Sequence, residues 1–94
     1  MSKQIITLTI KDKDYSFEMT KEAYNEYING MMPSNKVSPS HNFAVKTVAE
    51  NDKKDLLILL DKPGAAIQIA GALVSEYAPD LGIDVKKPSS SATG

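Results

Sequence analysis

The chain contains no cysteine, no arginine and a single histidine. Without thiols it has no disulfide framework, no thiolate metal site and no cysteine nucleophile. Its eleven basic residues are all lysine, so the planar, two-pronged guanidinium that suits phosphate and guanine is missing. With a net charge of -1, that absence weighs against a nucleic-acid partner. Long apolar runs are lacking too. The longest uncharged stretch, residues 63–75, falls short of the roughly 20 apolar residues that cross a bilayer. The opening "MSKQIITLTIKDKD" has no basic segment followed by an apolar run and a small-residue cleavage site, so it does not read as a signal peptide. A soluble protein with no membrane partner is expected. The 41% hydrophobic content over 94 residues suits one globular domain, assigned to residues 1–87.

What is present reads as an α+β fold: an N-terminal β-hairpin packed on about four α-helices. Ile6, Leu8 and Ile10 alternate on one face, and Tyr15, Phe17 and Met19 alternate again after a polar turn. A two-residue turn at Asp12 and Lys13 would put lysine at positive φ, so a looser turn of three to five residues is expected. Thr20 then stands where a helix N-cap belongs, and the helix from Lys21 carries Tyr24, Tyr27, Ile28 and Met31 on one face before Gly30 stops it.

"MMPSNKVSPSHNF", residues 31–43, reads as a connector in which Pro33 and Pro39 hold the chain extended. Ser40 is expected to cap the next helix, with Phe43, Ala44, Thr47 and Val48 inward and His41 in its first turn. The run "LLILL", residues 56–60, suits a buried strand or the inner part of a helix. Helix is favoured, because Leu dominates and Asn51 or Asp52 can cap it. Pro63 and Gly64 punctuate, and residues 65–78 follow as the most apolar helix. Ile83 and Val85 alternate with Asp84 and Lys86, a pattern that would extend the hairpin to a three-stranded sheet. The polar residues 88–94 read as a disordered tail.

No constellation points to catalysis, a cofactor or a metal. One Ser-His dipeptide is not a triad, one histidine without cysteine makes no zinc motif, and "PGAAIQIAG" matches neither phosphate-binding glycine pattern. Glu76, Asp80 and Asp84 are evenly spaced, but Pro79 interrupts the helix that would align them. The 65–78 segment has no lysine to position phosphate as a DNA-recognition helix would. Its apolar residues surround nearly the whole circumference, so it is expected to be fully buried, either by neighbouring helices of this chain or by another subunit or partner.

The segments "YNEYINGMMPSNKVSPSHNF" (24–43) and "KPGAAIQIAGALVSEYAPDLGI" (62–83), behind an N-terminal hairpin, resemble the small tail assembly chaperones of long-tailed bacteriophages and prophages. The resemblance spans roughly residues 5–85 and rests on these two strings rather than on a chemical motif. It implies a non-enzymatic protein that works in the cytoplasm of the bacterial host. Such a protein binds the tape measure protein, helps recruit tail tube protein during polymerisation, and leaves before the virion matures. Some members also have a frameshift-extended form. A homo-oligomer is compatible with this role. Adaptable methionine and small-residue surfaces suit a helical partner, which makes Met31, Met32, Ile67, Ala70, Leu73 and Val74 the candidate partner-binding residues. The alternative is a small structural tail component that stays in the particle.

Overall fold

The computed structural model describes residues 4–78 and 81–86. The order is β1 (Gln4–Ile10), β2 (Lys13–Met19), α1 (Lys21–Gly30), α2 (Val37–Thr47), α3 (Glu50–Leu60) and α4 (Ala65–Tyr77). A two-stranded antiparallel hairpin followed by four helices is the expected α+β class. The expected disordered tail, residues 88–94, lies outside the described residues.

The hairpin register pairs Ile6 with Phe17 and Leu8 with Tyr15. The two alternating sets therefore share one face, and Ile6, Tyr15, Phe17 and Met19 are buried there. The turn differs from expectation. Ile10 pairs with Lys13, leaving a two-residue turn in which Lys11 (φ 51°) and Asp12 (φ 67°) both take the left-handed region. This is the geometry whose twist matches the strands, and continuous pairing on both sides outweighs the strain at Lys11.

Thr20 caps α1 as its sequence position suggests, with the Ala23 N–H donating to Thr20 Oγ1 over 3.1 Å. Tyr27 stacks on Phe43 of α2, with ring centroids 4.6 Å apart, and Tyr24 meets Tyr77 of α4 at 5.6 Å. Ile28, expected on the inward stripe, is exposed, and Ala23 occupies the buried position instead. The small side chain lets α1 approach the core closely.

The connector holds a tight turn rather than an extended run. Met32 and Asn35 exchange two backbone hydrogen bonds, of 3.2 and 3.0 Å, around Pro33 and Ser34. Helix α2 then begins at Val37, three residues before the expected Ser40 cap. Pro39 is accommodated because first-turn N–H groups have no helical acceptor. Ser40 lies inside the helix, buried, and its hydroxyl donates to the Lys36 carbonyl over 2.7 Å. His41 is consequently one turn further in than expected. Phe43, Ala44, Thr47 and Val48 are all buried, and the Thr47 hydroxyl is satisfied by the Phe43 carbonyl at 2.8 Å.

Residues 56–60 are helical. Neither Asn51 nor Asp52 caps α3, whose N-cap position is Ala49. Asp52 instead accepts the Ser16 N–H over 2.9 Å, and the Ala49 N–H donates to the Ser16 carbonyl over 2.8 Å. Both outward-facing groups of Ser16 are thereby occupied, which fastens the start of α3 to the outer edge of β2.

Helix α4 starts after Gly64, which takes φ 78°, a conformation that strains any residue with a Cβ. Ala66, Ile69, Ala70 and Leu73 form its buried stripe and, with Leu56, Leu59 and Leu60 of α3, complete the core. Helix α2 sits centrally and packs on α1, α3, α4 and β2. Of the two expected sources of cover for α4, helices of this chain supply one side only: Ile67, Gln68, Gly71, Ala72, Ser75 and Glu76 face outward. A single layer of helices covers only one side of α4. Residues 81–86 carry no regular secondary structure, so the expected third strand is absent from the sheet formed by the described residues.

Candidate partner-binding surface

The described surface carries a groove between helices and a set of exposed apolar side chains. Between α1 and α2 an open groove of about 410 Å³ is floored by Tyr27 and Phe43 and flanked by Asn35, Asn42 and Lys46. Its two charged side chains, Glu26 and Lys46, pair with each other across the groove. Among the described residues no group of three or more His, Cys, Asp or Glu side chains could hold a metal ion, and no described helix is long and apolar enough to cross a membrane.

Exposed apolar side chains are the more pronounced feature. They occur on β1 (Ile5), on α1 (Ile28), in the α1–α2 connection (Met32), at the start of α2 (Val37), on α3 (Leu57 and Ile58), on α4 (Ile67), and in the C-terminal segment (Leu81, Ile83 and Val85). Exposure of this kind, when grouped, marks interaction surfaces.

The six sequence-derived candidates divide by burial. Met32 is 56% exposed and Ile67 45% exposed. Met31 and Val74 are half-buried, and Val74 packs against the core. Ala70 and Leu73 are 0% exposed. They lie on the α4 stripe that meets the core, so a partner docking on this folded form touches neither side chain. Leu57 and Ile58 were not among the candidates, although their signal is in the sequence. In a helix over 56–60, Leu56, Leu59 and Leu60 share one face, which turns Leu57 and Ile58 away from it.

Among the described residues, then, the surface carries exposed apolar side chains on a small α+β scaffold, the kind of surface that another protein can cover. The phage tail assembly chaperone family matches residues 6–87, and the chain belongs to that family. It is also 30% identical over 84 residues to an uncharacterized 11.3 kDa protein in the lys 3' region of Haemophilus phage HP1 (strain HP1c1), an alignment covering 89% of this chain and 82% of that protein. No solved structure matches the chain. Membership implies protein partners in tail assembly and a non-enzymatic role.

Proposed function

We propose that this tail assembly chaperone binds the tape measure protein of its phage, keeps it soluble, and assists polymerisation of the tail tube around it. Family membership over residues 6–87 carries the reading. Apolar side chains at Met32 and Ile67 support it, because an amphipathic helical partner needs an apolar surface to bury its own stripe. Methionine at one of these positions adapts to varied partner side chains. The binding unit is the single domain of residues 1–87, acting in the host cytoplasm and released before the virion is complete.

Co-expression with the tape measure protein encoded by the same phage tests this. The expected result is a soluble complex of fixed stoichiometry, with tape measure protein aggregating when expressed alone. Failure to co-purify while the tape measure protein still aggregates would overturn the reading. Purified mature virions are expected to lack this chain; finding it there in stoichiometric amount would instead identify a structural tail component.

A further inference from the structure

Helix α3 has two unlike faces. Leu56, Leu59 and Leu60 enter the core, while Leu57 is 44% and Ile58 65% exposed. At about 100° per residue, Lys54, Leu57, Ile58 and Asp61 fall within one arc of about 100° opposite the buried stripe. All four are exposed. Asp61 keeps its place on that face because, as the C-cap residue, it still has right-handed helical φ and ψ of -73° and -14°. Along the helix the four read base, aliphatic, aliphatic, acid. The ion pairs of α3 join Asp52 and Asp55 to Lys13 and Glu50 to Lys53, so among the described residues neither Lys54 nor Asp61 has an ion-pair partner. Nor do these two reach each other, since seven residues of helix separate them by about 10 Å.

A pattern of this kind complements itself when reversed. Laid antiparallel across the same face of a second copy, with the two-fold axis passing between Leu57 and Ile58, Lys54 of each copy comes opposite Asp61 of the other. The aliphatic side chains then meet at the centre and the charged ones stay at the solvated rim, the usual anatomy of a protein interface. Segments 1–3, 79–80 and 87–94, the remainder of the chain, read "MSK", "PD" and "KPSSSATG" and offer no aliphatic pair flanked by an acid and a base. The complement of this face is therefore the face itself.

We propose that two copies of this chain associate through α3, antiparallel about a two-fold axis between Leu57 and Ile58, with two reciprocal Lys54–Asp61 ion pairs closing the ends. One helix from each copy falls short of the roughly 20–30 residues a side of a standard interface, so the association is weak and reversible. The proposal is independent of the tape measure reading. Sedimentation equilibrium of the full chain up to millimolar concentration tests it, on the wild type, on Lys54→Asp, on Asp61→Lys and on an equimolar mixture of the two variants. Both positions are exposed, and unchanged circular dichroism spectra check that the variants fold. The wild type is expected to show a monomer–dimer equilibrium. Each reversal sets like charges opposite one another and weakens it by about tenfold or more. In the mixture every facing pair is again acid against base, so a heterodimer of wild-type affinity is expected. A wild type that stays monomeric, single variants that dimerise as the wild type does, or a mixture without recovery overturns the proposal. So does a monomer in which Leu57→Asp/Ile58→Asp abolishes co-purification of the tape measure protein, by assigning the face to that partner.

Discussion

At Lys11 a side chain that disfavours the left-handed region is held there at φ 51° by the pairing of Ile10 with Lys13. An L-residue in this region costs about 1–2 kcal/mol, and Asn-Gly is the pair best suited to the two positions. The double substitution Lys11→Asn/Asp12→Gly is expected to raise stability by about 1 kcal/mol, seen as a higher urea midpoint at unchanged slope. Asp52 is the other residue whose role reaches beyond its own element. Its carboxylate accepts the Ser16 N–H at 2.9 Å and lies 3.6 Å from the Lys13 ammonium. The ion pair is partly exposed and contributes little, whereas the charge-assisted hydrogen bond ties α3 to the sheet. Asp52→Ala is expected to cost about 1–2 kcal/mol in the same measurement, with Asp52→Asn recovering part of it. No loss in the alanine variant would show that water replaces the bond fully.

Among the elements, α4 has two faces with different work. Leu73 is fully buried and Ile67 is half in water, though both are large aliphatic residues on one helix. Leu73→Ala is expected to cost about 2–5 kcal/mol by leaving a cavity. Ile67→Ala stays within about 1 kcal/mol, since exposed side chains contribute little to stability. Equal losses from the two would place Ile67 in the core. The sequence shows that α4 is apolar all round, and the burial of Ala66, Ile69, Ala70 and Leu73 shows which side the domain uses. Helix α2 teaches a related lesson. Phe43, Ala44 and Thr47 on its inward side, and Val48 at its C-cap, were legible from spacing alone, whereas the burial of Ser40 was not. Nor was the start of the helix, because Ser40 resembles a cap in sequence while the chain begins the helix before Pro39, where a missing N–H costs nothing.

For the whole molecule, the exposed apolar positions matter more than the core. The variant Met32→Asp/Ile67→Asp is expected to keep its thermal midpoint within a few degrees and to lose co-purification with the tape measure protein. Retained binding would move the contact elsewhere, with Leu57 and Ile58 the next positions to charge. Leu73→Asp cannot serve this purpose, because a carboxylate at a fully buried site would disrupt the fold first.

The hairpin faces, the Thr20 cap, the helical nature of residues 56–60 and the break at Pro63 and Gly64 are local. Each follows from alternation, helical period or backbone chemistry within a few residues, so the amino-acid order alone determined them. The absence of thiols and arginine likewise narrowed the chemistry before any fold was known. The tertiary structure decided the rest: the outward face of α4, the attachment of Asp52 to Ser16 instead of to its own helix end, and the burial that separates Met32 and Ile67 from Ala70 and Leu73. These depend on which surfaces a short chain has enough neighbouring atoms to cover, and that is a property of packing between distant segments rather than of any one of them.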